Sequence, residues 1–201
     1  HAQQARGGTV LAPAVTSAYR YGTADRTLNV VILSDGMTEQ KERRTLLQLI
    51  RERPRNARVF CIGVGNEVNR PLLEQLTEDS GGLAAFVSGG DDFIRQAAAF
   101  RRKLMHPVAT ELQIDFKGMH VYDLEPQELP NLFHGSPVRI YGRYRGSGEA
   151  TVTVTGDIRG TVMQQSTPLL VPATDNDNPE IERMWAWKRI DGLLKHADRT
   201  G

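Results

Sequence analysis

The stretch Leu28–Ser34, read LNVVILS, runs straight into Asp35-Gly36. A short β-branched apolar run that ends in a turn dipeptide reads as a buried strand followed by a loop. Downstream the alternation continues. Thr38–Arg53 is charged but carries Leu46, Leu47, Leu49 and Ile50 on one helical face, and Pro54 stops it. Ala57–Val64 (ARVFCIGV) is a second buried strand, followed by Gly65-Asn66. Asn69–Asp79 reads as a helix with Pro71 in its first turn, where a missing N–H costs nothing, and Ser80-Gly81-Gly82 closes it. Ala84–Val87 is a third strand. Asp91 or Asp92 can cap a helix that carries Phe93, Ile94, Ala97 and Leu104, and Pro107 follows it. Three strand–helix units in a row imply an α/β fold with a parallel sheet and helical crossovers.

The pattern changes after Pro107. Leu112–Phe116, Met119–Leu124, Val138–Tyr144, Ala150–Thr155 and Thr161–Val171 alternate or are β-rich, and glycines punctuate them. This predicts an antiparallel β module. The polar segment Thr174–Asn178 then leads into a last helix, about Pro179 to His196, bearing Ile181, Met184, Trp185, Trp187, Ile190, Leu193 and Leu194. The expected organisation is an α/β part over 1–106, a β module over 107–173, and a linker with a C-terminal helix over 174–201.

Composition sets limits on function. The chain has 201 residues, and 25 Lys+Arg against 24 Asp+Glu give a net charge of +1. A dedicated nucleic-acid binder usually carries a basic excess, so that class is excluded. No apolar run approaches the length of a transmembrane helix. One cysteine excludes an internal disulfide framework and a Cys-based zinc site. The histidines show no metal-ligand spacing. No Ser/His/Asp or Cys/His constellation has supporting context, so the chain is expected not to be an enzyme.

Two short motifs carry the candidate chemistry. In an open α/β sheet ligands bind at the carboxyl ends of the strands, and Ser34-Asp35-Gly36 occupies such an end. The Asp35 carboxylate is therefore placed to serve a metal or a substrate, although Asp-Gly is equally an ordinary turn. Gly7-Gly8-Thr9 precedes Leu11, Ala14, Val15 and Ala18, a pattern that opens a helix and presents the Thr9 hydroxyl. A helix cap explains it as well.

Taken together, Gly7-Gly8-Thr9, the strand ending in Ser34-Asp35-Gly36, Ala57–Gly65 and Asn69-Arg70 resemble the von Willebrand factor A (vWA) domain. That resemblance implies the C-terminal part of a doubly wound, Rossmann-like sheet. It also implies a metal-ion-dependent adhesion site, in which an Asp-x-Ser-x-Ser loop, a Thr and a further Asp surround one Mg²⁺ or Ca²⁺. Hard oxygens suit such ions, and one position stays open for a carboxylate of the partner. Thr9 matches the family's Thr and Asp35 its third-loop Asp, with Gly8, Ser34 and Gly36 beside them. Leu129–Phe133 with Gly135 and Pro137, then Val138–Gly142, and Met184–Lys188 with Ile190 and Leu193 are similar to the inter-alpha-trypsin inhibitor heavy chain-like subgroup. Bacterial members of that subgroup carry an N-terminal VIT domain before the vWA domain.

One departure from the family is specific. No Asp-x-Ser-x-Ser occurs in this chain, and only six residues precede Gly7. The chain begins at His1, not Met, so it is expected to start inside a longer protein whose missing N-terminal half supplies the Asp and both Ser ligands. Thr9 and Asp35 alone are too few oxygens for a dedicated cation site, so this chain is expected to bind Mg²⁺ or Ca²⁺ weakly or not at all. The Leu28–Ser34 strand, without its expected neighbour, is an apolar edge that pairs with the missing half or with another chain.

Other motifs have local explanations. Gly89-Gly90-Asp91-Asp92-Phe93 resembles the GGDEF signature of diguanylate cyclases, but a helix from Phe93 contradicts that family's hairpin. Ile62–Asn66 lacks the third glycine of a dinucleotide loop. Asp175–Asn178 with Glu180 is rich in hard oxygens but lacks the EF-hand glycine, and a solvated linker explains it. Cys61, between Phe60 and Ile62, reads as a core residue. Arg43, Arg44, Arg51, Arg53, Arg55 and Arg58 suit either an acidic partner or a solvated helix face. The resemblance implies a secreted, periplasmic or cell-surface binding protein that engages a protein ligand through a metal-bridged carboxylate. An intracellular scaffold of a chelatase- or chaperone-like assembly, and more remotely a nucleotide cyclase, are the alternatives.

Overall fold

A computed structural model describes residues 10–200 apart from 89, 91, 106, 175 and 176. The chain divides into two compact units, His1–Met105 and His106–Gly201.

In the first unit the expected alternation is present. Three parallel strands, β1 (Leu28–Ser34), β2 (Ala57–Val64) and β3 (Ala84–Val87), lie in the order β1-β2-β3. Leu28 is opposite Ala57, and Cys61 is opposite Ala84. The helices are α1 (Ala12–Tyr19), α2 (Gln40–Arg51), α3 (Arg70–Glu78) and α4 (Phe93–Met105). Side chains alternate across a strand, so each strand offers two faces. Val30 and Ile32 of β1 and Val59 and Cys61 of β2 join one core with Val15 of α1, Leu46, Leu47 and Ile50 of α2, and Leu72, Leu73 and Leu76 of α3. Each fully buried side chain of this size contributes about 1.5–3 kcal/mol of transfer free energy. On the opposite face Phe60 meets Phe100 of α4 edge to face at 6.5 Å.

The sequence reads Leu28–Ser34 as buried, whereas only one of its faces is. Val31 is 41% and Leu33 60% exposed. β1 is an edge strand whose second face has no cover among the described residues. The run is apolar on both faces, and periodicity alone does not say that the second face is left open.

One helix start and one strand N–H are satisfied by side chains from a distance. Leu11, which precedes α1, has no side-chain cap, and Glu42 of α2 accepts the Leu11 and Ala12 N–H groups at 2.7 and 2.8 Å. A carboxylate at a helix N-terminus also complements the helix dipole. β3 is short, so it leaves Val59 without a strand partner on that side. The Ser80 hydroxyl accepts the Val59 N–H at 3.0 Å instead. Gly82 passes so close that a Cβ there would lie 1.8 Å from the Val59 carbonyl oxygen.

The second unit is antiparallel throughout. β4 (Pro107–Lys117), β6 (Leu132–Phe133), β8 (Gly148–Ile158) and β9 (Thr161–Val171) form a sheet in the order β6-β4-β8-β9, while β5 (His120–Glu125) and β7 (Tyr141–Arg145) pair separately. The β8–β9 hairpin turns at Arg159-Gly160, both with positive φ (56° and 83°). Two left-handed residues match the twist of a two-residue hairpin turn. The sequence treats Pro107 as a helix stop, and the structure also makes it the first residue of β4, a position where the absent N–H is tolerated. β6 has only two residues, too short for a periodicity signal. The last helix, α5 (Pro179–Thr200), runs one turn past the expected His196. It is fixed to the β5–β7 pair by the Trp185 indole N–H donating to the Asp123 carbonyl at 2.8 Å and by Arg189 on the buried Glu125 carboxylate at 2.6 Å.

Gly82→Ala forces the Ser80–Gly82 turn away from β2. The expected loss is about 3 kcal/mol or more, within the range of severe backbone and packing lesions. Gly90→Ala, where an added Cβ meets nothing within 4 Å, is expected to leave stability unchanged. Urea denaturation of the two variants checks this contrast.

Candidate metal-binding loop at the end of the first strand

The loop after β1 stands at the carboxyl end of the parallel sheet, where open α/β sheets bind ligands. Three backbone constraints hold it. The Ser34 hydroxyl accepts the Gly36 N–H at 3.0 Å, and Asp35 Oδ1 accepts the Met37 N–H at 3.0 Å. The Asp35 carbonyl accepts the Asn69 N–H at 2.8 Å, which ties the loop to the start of α3. Gly36 has φ +71°, and a Cβ there would press on Leu73 at 3.1 Å and on Asn69 at 3.3 Å. Glycine is thus required twice, for the left-handed backbone and for the close approach.

Asn69 has two roles that its position in the sequence does not display together. Its side chain accepts the Leu72 N–H and caps α3, while its backbone N–H holds Asp35. The signal was present, because Asn followed by Arg-Pro is a strong helix start. The pairing with Asp35, 34 positions earlier in the chain, was not visible. Arg70, beside it, stacks over Phe86 at 4.5 Å.

Ser34, Asp35 and Gly36 are thus brought together in one braced loop. Gly8 and Thr9, the other expected members, lie outside the described residues. Asp35 is half-exposed. One of its carboxylate oxygens is engaged by Met37, and Ser34 Oγ is engaged by Gly36. Mg²⁺ demands near-octahedral oxygen coordination. Among the described residues no group of three or more His, Cys, Asp or Glu is placed to hold a metal. The described donors do not by themselves make a cation site.

The competing motifs resolve locally. α4 begins at Phe93, and Asp92 Oδ1 accepts the Arg95 N–H at 3.0 Å, so Asp92 is a helix cap. This helix replaces the hairpin that a cyclase motif needs; Gly89 and Asp91 lie outside the described residues, as do Asp175 and Asn176 of the acidic linker. Of the arginine cluster, Arg53 donates to the Ala57 and Ile50 carbonyls at 3.0 and 2.9 Å and so closes the end of α2. Burial lowers the Arg58 pKa.

Cys61 is fully buried in β2, and burial pushes its thiol up to about 12. A thiol this hard to ionise is a poor nucleophile. Its contribution to stability is complete below the ordinary thiol range and is lost as pH rises from there toward about 12, because the unfolded chain then gives up the proton first. At pH 8 native protein is expected to resist iodoacetamide at Cys61, while urea-unfolded protein reacts; mass spectrometry reads the difference. Asn69→Ala removes the α3 cap and is expected to cost about 1 kcal/mol in denaturant unfolding. It should also speed hydrogen exchange at the Leu72 amide.

A family model for the von Willebrand factor type A domain matches residues 1–86. Inter-alpha-trypsin inhibitor heavy chain H4 from Homo sapiens is 26% identical over 149 residues, which is 69% of this chain and 16% of that protein. Heavy chain H2 from Sus scrofa is 22% identical over 187 residues, 85% of this chain and 20% of that protein. The chain therefore spans a fifth or less of the length of these relatives. Among solved structures, the ArnB paralog VWA2 from Sulfolobus acidocaldarius aligns with a TM-score of 0.42 and 17% identity, covering 98% of this chain and 56% of that one. A von Willebrand factor type A protein from Catenulispora acidiphila gives 0.45 and 16%, covering 88% and 49%. Residues 1–86 thus match the von Willebrand factor type A domain, and most of the chain is similar to inter-alpha-trypsin inhibitor heavy chains.

Proposed function

We propose that this chain is part of a non-enzymatic protein-binding module of a secreted or cell-surface vWA protein. In this reading the parent protein engages a carboxylate on its partner through a bound Mg²⁺ or Ca²⁺. The observation that carries it is the Ser34–Gly36 loop. A carboxylate sits at the carboxyl end of a parallel strand, on a backbone fixed by Asn69 and by a glycine that admits no side chain. Such bracing suits a ligand that must be held without rearrangement. Asp35 and Thr9 are the residues of this chain that would contribute to the ion. The rest of the donor set is supplied by an Asp-x-Ser-x-Ser segment that these 201 residues do not contain. Similarity to inter-alpha-trypsin inhibitor heavy chains supports the extracellular assignment.

Calorimetric titration of Mg²⁺ tests the reading. The chain alone is expected to show weak binding or none. The same chain joined to the upstream segment of its full-length gene product is expected to bind, and Asp35→Ala in that longer protein should abolish the heat. Tight Mg²⁺ binding that survives Asp35→Ala would overturn the assignment.

A further inference from the structure

The last helix is docked by the side opposite its apolar stripe. α5 rests on the β5–β7 pair through Trp185, Arg189 and Gly192; a Cβ added at Gly192 would lie 3.5 Å from Glu125 Oε2. At about 100° per residue these three positions share one side of the helix. The opposite side carries Trp187, Ile190 and Leu194, flanked by Met184 and Leu193. All five are exposed, Trp187 by 55% and Leu194 by 63%. A helix of a globular protein ordinarily turns its apolar stripe to the core. Here hydrogen bonds and an ion pair hold α5 to its own strands, and the apolar stripe is left outside.

The stripe has a definite period. Glu180, Arg183, Trp187, Ile190, Leu194 and Ala197 follow one another at alternating intervals of three and four residues. This is the a/d spacing of a helix that meets another helix along a seam. Each of the five exposed apolar side chains presents on the order of 100 Å². Two such stripes pressed together remove about 1,000 Å² from water, the size at which specific interfaces begin. The two charges at the start of the seam set the direction. Two parallel copies would place Arg183 against Arg183 and Glu180 against Glu180, and juxtaposed like charges oppose association. Two antiparallel copies pair a with d positions instead, so Trp187 meets Ile190, Arg183 meets Leu194 and Glu180 meets Ala197. The Arg183 stem can then cover the leucine while its guanidinium stays in water. Antiparallel helices also oppose their dipoles.

We infer that the outward stripe of α5 is a homodimer interface, occupied by the α5 helix of a second copy in antiparallel orientation. Trp187, Ile190 and Leu194 form its centre, and Met184 and Leu193 border it. Burial of these side chains supplies the affinity, and the Glu180 and Arg183 positions fix the orientation. The interface does not depend on the metal-binding reading.

Sedimentation equilibrium of the whole chain tests the inference, and a monomer–dimer equilibrium is expected at micromolar concentration. Ile190→Glu combined with Leu194→Glu is expected to raise the dissociation constant about a hundredfold or more, the scale of losing two interface anchors. Both side chains are exposed in the single chain, so the variant keeps its fold, and an unchanged circular dichroism spectrum checks that. Orientation is read by oxidising a mixture of Arg183→Cys and Leu194→Cys chains; the native Cys61 is buried and stays out of the reaction. Mixed disulfide dimers are expected. Arg183→Cys chains that link to each other instead overturn the antiparallel assignment. A monomeric chain, or a dimer that survives the double glutamate substitution, overturns the inference. So does a chain that stays monomeric in solution and uses the stripe to sediment with phosphatidylglycerol vesicles. The full-length gene product is expected to dimerise through the same residues, and a monomeric parent whose further sequence covers α5 overturns the inference as well.

Discussion

Everything in the first unit depends on one face of a three-stranded sheet being closed by leucines. Val30, Ile32, Val59 and Cys61 present that face, and Leu46, Leu47, Ile50, Leu72, Leu73 and Leu76 from α2 and α3 cover it. Parallel strands need crossovers, and the crossover helices are what bury the sheet. The loop at the end of β1 inherits its position from this packing. α3 can hold Asp35 through Asn69 only because Leu72 and Leu73 fix the start of that helix against the sheet. A carboxylate that looks solitary in the sequence is thereby anchored to the core.

The other face shows what this packing leaves undone. Phe60 is covered by Phe100, yet Val31 and Leu33 remain open on the edge strand. Exposed apolar edges invite pairing, and proteins ordinarily cover, twist or charge them. β1 has none of these devices among its own residues. The second unit meets a similar constraint differently. The β8–β9 hairpin is long, Arg143 and Arg145 put charge on β7, and Trp185 and Arg189 bind α5 to the β5–β7 pair.

Much of this was legible in the residues. Each of the three parallel strands and the helices between them follows from apolar periodicity and from punctuation by Pro54, Pro71 and Ser80–Gly82. The match of residues 1–86 to the von Willebrand factor type A domain accords with that reading. Ser34, Asp35 and Gly36 were singled out together because a strand end in an open sheet is where ligands bind. What was missed is short or distant. β6 spans two residues, Glu42 caps α1 from another helix, and Asn69 reaches Asp35 across two elements. None of these leaves a periodic signal, because each depends on which elements become neighbours.

The sequence by itself determined the α/β character of the first part, the β character of the second, and the absence of a cysteine framework or a long apolar span. These are local properties, set by side-chain period and turn chemistry, and they need no partner. Only the tertiary structure decided which face of β1 is open, which helix holds the Asp35 loop, and that residues of β4, β7 and β9 border one cleft. Those outcomes rest on contacts between residues far apart in the chain, where shape and charge act through space and leave no spacing to read.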